Sequence, residues 1–364
     1  MTAFRTAHAV HSDWRTAVAR VASSLGNGDP AIPALGFIYV TDHFVDAFAE
    51  IIADVRKATG VQDWVGSVGL GILADAEELN DQPAIAAAVL HLPADGWRLV
   101  ADTGLRLTGN GWGTYPVGIV HADPGNGDTP RQLTDLAERT GAFLVGGLAS
   151  SRRDLPPAPA PFTGSAVSGV LLRDDVPIQI GLSQGCTPLG PVHRITEERH
   201  QVIMTLDGRP ALDVFNEDIG ERLARDPGRL GDYVHAALPI EDSDCADYLV
   251  RNLIGIDPMR RWLAIGADIA AGDRVMFVRR DPGSAREDLN RMLSHLARRL
   301  DEPPRGALYF SCVARGENMF GEAGAELAMI RRSIGTVPLL GFACGGEICN
   351  GRLYGYTGVL AVFS

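Results

Sequence analysis

One local pattern is read three times along this chain: an apolar run of strand type, an amphipathic helix, a second apolar run ending among glycines, then another strand. The first copy runs from Leu35–Val40 (LGFIYV) through a helix beginning near Asp42, with Phe44, Phe48, Ile51, Ile52 and Val55 at helical spacing and a stop at Gly60. It continues with Val65–Leu73 (VGSVGLGIL) and Ala84–Leu92. The second copy takes Val117–His121, a helix over Asp128–Arg139, Phe143–Leu148 and Ala166–Leu172. The third takes Gly306–Ser311, a helix over Glu322–Ile334, a strand at Val337–Leu340 and a last strand at Leu353–Phe363. An internal repeat constrains the fold more than any single propensity, because every copy must find a place in the same architecture.

The glycines punctuating these copies carry the second constraint. Gly341–Gly351 (GFACGGEICNG) is the richest stretch, with weaker echoes at Val65–Leu73 and Val145–Ser151 (VGGLASS). Glycine at such places marks a backbone that something approaches closely. Val65–Leu73 reads G-x-x-G-x-G, which lacks the dinucleotide order, and no helix follows it, so it is read as structural.

Continuously apolar strands need cover on both faces, so the expected fold is mixed α/β: layered mixed sheets with helices outside, built from strand-helix-strand-strand units. An N-terminal helical extension is placed at 1–30, with a helix over 12–25 capped by Ser12 or Asp13; two domains follow, at 31–205 and 206–364. Pro210 opens a helix, Ser284 with Glu287 makes a capping-box pattern ahead of another, and Val275–Val278 is a short strand. Leu155–Phe162 (LPPAPAPF) is a proline-rich excursion from regular structure.

Charge and cysteine usage remove several function classes. A net charge of −12 argues against nucleic acid or anionic lipid as partner. Lys57 is the only lysine and sits late on a surface-type helix, which excludes a phosphate-loop or Schiff-base lysine. The cysteines at 186, 245, 312, 344 and 349 form no disulfide framework, and no run is long and apolar enough to span a membrane, so a cytoplasmic protein is expected.

Four pieces, Asp207–Phe215 (DGRPALDVF), Ser311–Gly316 (SCVARG), Gly341–Ile348 (GFACGGEI) and Tyr356–Leu360 (YTGVL), resemble the C-terminal half of FIST proteins. Trp64–Gly71, Pro83–Val89, the Gly146-Gly147 turn, and Cys186–Gly190 ahead of His193-Arg194-Ile195-Thr196 resemble the N-terminal half. The resemblance implies a sensory module for a small ligand, plausibly an amino acid, acting in bacterial signal transduction. No kinase, cyclase or chemoreceptor segment accompanies it, so output would pass through a separate signalling protein. Some relatives bind haem as nitric oxide sensors, which makes haem the alternative cofactor, with His43, His91, His121, His193, His200 and His235 as unranked axial candidates.

The residues themselves point to one rim. If the strands before Cys312 and Cys344 are neighbours, their carboxyl ends bring together Cys312, Cys344, Cys349, Arg315 and Glu347, where α/β sheets bind ligands. The expected ligand-binding set is Cys312, Arg315, Cys344, Gly345, Gly346 and Glu347, with no catalytic residue and no metal assigned. Arg315 would take a carboxylate and Glu347 an ammonium, which suits a zwitterion; the alternative is that the two pair with each other. A cysteine-dependent enzyme using Cys312 or Cys344 is the remaining reading.

Overall fold

The computed structural model describes residues 4–26, 32–93, 95–100, 116–153, 166–224, 233–240 and 248–364. The chain divides into two compact units, one of Met1–Ser183 with Leu289–Ser364 and one of Gln184–Asp288. These spatial units cut across the halves read along the sequence near residue 205. The proline-rich stretch Leu155–Phe162 and Cys245 lie outside the described residues.

Among the described residues the first unit holds three sheets. One has the order β1 (Phe4–Val10), β6 (Ala84–His91), β2 (Ala34–Thr41), β3 (Asp63–Gly69). Another runs β23 (Arg352–Tyr354), β22 (Glu347–Cys349), β9 (Phe143–Leu148), β8 (Val117–Ala122), β10 (Val167–Leu172), β7 (Trp97–Val100). The third runs β11 (Ile178–Ser183), β24 (Gly358–Phe363), β20 (Gly306–Cys312), β21 (Leu339–Cys344), β4 (Gly71–Ala74), β5 (Glu77–Asn80).

Each sheet is built on one parallel pair: β2 with β3, β8 with β9, β20 with β21. Helices join the pairs: α2 (Phe48–Thr59) behind a 3-10 turn at Asp42–Ala47, α3 (Thr129–Thr140), and α6 (Glu317–Phe320) with α7 (Ala325–Ile334). A later strand returns antiparallel against the first member each time: β6 on β2, β10 on β8, β24 on β20. The helices form for readable reasons. Asp13 caps α1 (Trp14–Leu25) by accepting from the Thr16 N–H, and Gly60 and Gly141 end α2 and α3 in left-handed conformation. Their apolar stripes face the sheets. Val18, Val21 and Leu25 of α1 with Ile51, Ile52 and Val55 of α2 pack on Ile38, Val68 and Ile85. Leu133 and Leu136 of α3 pack on Val120, Leu144 and Leu171, each such side chain contributing about 2 kcal/mol.

The same close approach recurs in all three parallel pairs. A Cβ at Gly66 would lie 1.7 Å from the carbonyl oxygen of Ile38. At Gly146 it would lie 1.8 Å from that of Val120, and at Gly341 1.8 Å from that of Tyr309. Every one of these glycines is the register partner of the residue whose carbonyl it meets. The next residue along the first strand is Tyr39, His121 or Phe310, and these three rings meet Phe342 in the interior. Tyr39 stacks on Phe342 at 4.8 Å between centroids, and its hydroxyl is 2.9 Å from His121 Nε2.

Several elements differ from the sequence expectation. Phe4–Val10 is a strand, added at the edge of its sheet against β6, so the expected N-terminal helical extension at 1–30 is helical only over α1. Val65–Leu73 is two strands in two sheets, broken at Leu70, whose N–H turns to Ser150 Oγ at 2.9 Å. Leu353–Phe363 is likewise two strands, β23 and β24. Gly341–Cys344 extends β21 rather than forming a loop, and the helix expected from Glu322 starts at Ala325 behind α6.

In the second unit the order is β12 (Cys186–Pro188), β19 (Arg274–Arg280), β13 (His193–Arg199), β14 (Val202–Leu206), β18 (Trp262–Ile265), β17 (Tyr248–Asp257), β16 (Val234–Pro239), with β15 (Arg209–Pro210) on β14. Pairing then returns from β16 to β19. Ile195, Ile203, Leu206, Leu263, Val275 and Phe277 fill the inside with Val214 and Phe215 of α4 (Ala211–Ala224). The helix α5 (Pro282–Arg299) is capped by Asp281, which accepts from the Ser284 N–H at 3.1 Å and from the Ser284 hydroxyl at 2.7 Å, so Ser284 lies inside the helix instead of capping it.

Gly341→Ala and Gly146→Ala should each cost at least ~3 kcal/mol, the upper end of overpacking penalties, because backbone carbonyls cannot step aside. Gly127→Ala, with nothing within 4 Å of the new Cβ, should stay within about 0.5 kcal/mol of the parent. Urea unfolding of the three variants checks both, and equal midpoints would contradict the packing argument.

Candidate functional site

Strands β20 and β21 are neighbours, and they bring Cys312 and Cys344 into direct register at their carboxyl ends. The chain then turns through Gly345 and Gly346 into β22, whose first residue is Glu347. The turn is fixed by its backbone: Gly345 N–H donates to the Leu148 carbonyl at 3.1 Å and Leu148 N–H to the Gly346 carbonyl at 2.8 Å. Here all three glycine stretches of the sequence converge. Ser150 accepts from Leu70 N–H and donates to the Ala343 carbonyl, and a Cβ at Gly147 would lie 2.2 Å from Cys344 Sγ.

Arg315 is fully engaged below this turn. Its Nε donates to Glu326 Oε1 at 2.7 Å, and Nη2 lies 2.6 Å from the same oxygen. Nη1 donates to the Ser183 and Tyr356 carbonyls, and Nη2 to Ser183 Oγ. Four hydrogen bonds and the ion pair thus account for the five guanidinium N–H donors. The Phe320 ring lies 5.2 Å from the guanidinium carbon, and Tyr309 and Ser311 donate to Glu326 from β20. Glu326, on the first turn of α7, rather than Glu347, is therefore the carboxylate that Arg315 binds. Both are buried, at 1% and 2% side-chain exposure, so removing one partner would strand the other's charge.

Glu347 is the polar group left open. It is wholly buried, Oε2 accepts from Thr357 N–H at 3.0 Å and from its hydroxyl at 2.8 Å, and Oε1 has no hydrogen-bond partner. Burial drives its pKa up to about 8, against the lowering by hydrogen bonds from Thr357, by the charge of Arg315 and by the neighbouring Cys312 thiol as a weak donor. Burial, with Glu347 close by, pushes the Cys312 thiol up to about 12 and raises Cys344 as well. Such thiols are not thiolates at neutral pH, so the local chemistry is that of neutral donors around a carboxyl, not of a nucleophile.

Of the expected set, the structure brings Cys312, Cys344, Gly345, Gly346 and Glu347 together and places Arg315 beside them with its donors spent. Cys349 is buried on β22, paired with Val145 of β9. Glu326, Ser183 and Tyr309 were not singled out by motif reading, since their partners lie on other elements; Thr357 falls within Tyr356–Leu360, but the motif does not tie it to Glu347. A carboxylate in the first turn of a helix following an arginine is the one local hint for Glu326. The histidines are dispersed. His121 is buried and pushed down to about 3 by burial, and His235 is buried on β16. His91 meets Arg5, His43 lies 3.7 Å from Asp42, His200 occupies a turn, and His193 lies between Asp207 and Asp218. Among the described residues no group of three or more His, Cys, Asp or Glu has a metal-holding arrangement, and no helix is long and apolar enough to cross a membrane.

Comparison with known proteins adds a family. The model of the FIST N domain matches residues 34–209 and that of the FIST C domain residues 211–350. An uncharacterised protein of Mycobacterium tuberculosis is 30% identical over 371 residues, covering 95% of this chain and 94% of its own length. An uncharacterised protein of Mycobacterium bovis is 28% identical over 364 residues, with 91% and 90% covered.

A carboxyl group whose folded pKa lies above its unfolded value binds its proton more tightly when folded. Its stabilising effect is complete below about pH 4.5 and is lost as pH rises towards 8, a total of about 5 kcal/mol for Glu347. Glu347→Gln should flatten that part of the stability–pH curve and make the variant the more stable protein near pH 9. Denaturant titrations at pH 5, 7 and 9 measure it, and parallel curves for parent and variant would refute the assignment.

Proposed function

Because the chain belongs to the FIST family, whose domains are sensory modules, we propose that it is a small-ligand sensor with Glu347 as its recognition group. The single observation behind this reading is the unpartnered Oε1 of a fully buried carboxyl whose other oxygen is fixed by Thr357. A buried polar atom without a partner costs about 1–3 kcal/mol, an expense that a bound donor would offset.

The ligand class that fits is an amine, such as an amino acid, whose ammonium group pairs with the ionised carboxylate. Arg315 contributes positive potential, but its donors are occupied, so a ligand carboxylate would take its hydrogen bonds elsewhere. Gly345 is exposed and Gly346 has no side chain, which makes the turn the natural approach to Glu347. Cys312 and Cys344 line the approach as neutral thiols. No catalysis is involved, the protein works in the cytoplasm, and the signal passes to a separate protein that reads the bound state.

Ammonium binding displaces the Glu347 proton, so affinity should rise up to tenfold per pH unit below about 8 and level off above it. A panel of amino acids and amines tested by thermal shift should give saturable stabilisation, about 2.7 kcal/mol at one hundred times Kd, lost in Glu347→Gln. Absence of any shift at millimolar levels, or an undiminished shift in the variant, would sink the proposal.

A further inference from the structure

The second unit contains an arrangement that the ligand site does not use. His193, the first residue of β13, is 10% exposed at its side chain and has a carboxylate at each ring nitrogen. Nδ1 lies 2.6 Å from Asp207 Oδ2 and Nε2 lies 2.9 Å from Asp218 Oδ2. An ionised carboxylate only accepts, so both contacts are hydrogen bonds at once only when both nitrogens carry protons. The ring is then an imidazolium bridging two anions.

The two carboxylates come from different elements. Asp207 belongs to the turn after β14, where it also accepts from Arg194 N–H at 2.9 Å. Asp218 is 9% exposed and belongs to α4, and His193 is its hydrogen-bond partner among the described residues. Gly190 makes room for it: a Cβ there would lie 2.2 to 2.5 Å from the Asp218 carboxylate atoms. Two residues beyond Asp218, at Gly220, the helix is broken by a non-helical backbone (φ 74°, ψ 156°). The imidazolium therefore sits at the C-terminal turn of the first segment of α4, where a cation is favoured by the helix dipole.

We propose that His193 is a proton-operated latch that fixes the end of the first α4 segment against β13, with the Gly220 break as the hinge it restrains. Loss of one proton leaves a lone pair facing a carboxylate. Asp207 keeps its hold on Arg194, so Asp218 is the contact released. Other charges around the ring are Arg209 on β15, which faces Asp207, Glu217 on α4, and Arg194 beside it; on β19 its register partner is the apolar Val275, with Arg274 next along. Burial works against the charged ring, but the two carboxylates outweigh it and raise its pKa above the ordinary histidine value. A raised histidine pKa means the latch is fully closed below about pH 6.5 and opens as pH rises through the folded value.

Histidine-selective 13C/15N labelling of the full chain tests the protonation state directly. Both His193 nitrogens should be protonated at pH 6.5, with a midpoint above that of free histidine. Amide exchange of residues 218–224, corrected for intrinsic rate, should accelerate between pH 6 and 9, by at most tenfold per unit. Asp218→Asn and His193→Gln should each remove that pH dependence. A neutral His193 tautomer at pH 6.5, or pH-dependent exchange that survives in Asp218→Asn, would overturn the latch, and the spectrum of the parent protein decides even if a variant fails to fold.

Discussion

Everything in the first unit depends on how closely two backbones can lie. Gly66, Gly146 and Gly341 each bring a strand against a neighbouring carbonyl at a distance no side chain would permit. That approach sets Tyr39, His121, Phe310 and Phe342 at mutual van der Waals range, so one aromatic cluster is shared by three sheets. Steric exclusion at three backbone points thereby determines where the hydrophobic interior lies. The helices then cover the outer faces.

The candidate site is a by-product of the same geometry. Because β21 runs in register beside β20 as far as Cys344, the chain must turn at Gly345–Gly346 and deliver Glu347 into the interior, next to the row of His121 and Gly147. Arg315 and Glu326 then neutralise one another beneath it, assisted by Tyr309 and Ser311. A buried ion pair is weak evidence for stability in itself, since desolvation offsets its attraction. Its better-supported effect here is positional: it ties the segment after β20 to α7 and holds Arg315 where its charge works against the rise in the Glu347 pKa.

What could be read in the sequence was local or periodic. The three strand-helix-strand passages and most of the strand and helix positions follow from apolar runs and glycine punctuation; the adjacency of Cys312 to Cys344 was a condition the sequence left open, which the pairing of β20 with β21 meets. The partner of Arg315 did not, because Glu347 and Glu326 are equally plausible carboxylates until α7 is placed. The fate of Val65–Leu73 was also hidden: an unbroken apolar run does not say that Leu70 will give its N–H to a serine eighty residues away. Phe4–Val10 was missed for a related reason: its buried apolar residues are one phenylalanine and two alanines among polar neighbours, and its pairing partner β6 lies about eighty residues away. The strand path of the second unit, returning from β16 to β19, is a matter of pairing, to which composition is blind.

The sheets of the first unit are completed late in the chain's own synthesis. Strand β4 waits for β21, β11 waits for β24, and β9 waits for β22, while the whole of Gln184–Asp288 is made in between. At roughly 5–20 residues per second, the first 183 residues leave the ribosome on the order of 10–40 s before the last strands can join them. For that interval three strands present unpaired backbone edges, which are templates for pairing with other chains. Those edges are what the first half must keep from other chains until β21, β22 and β24 are made.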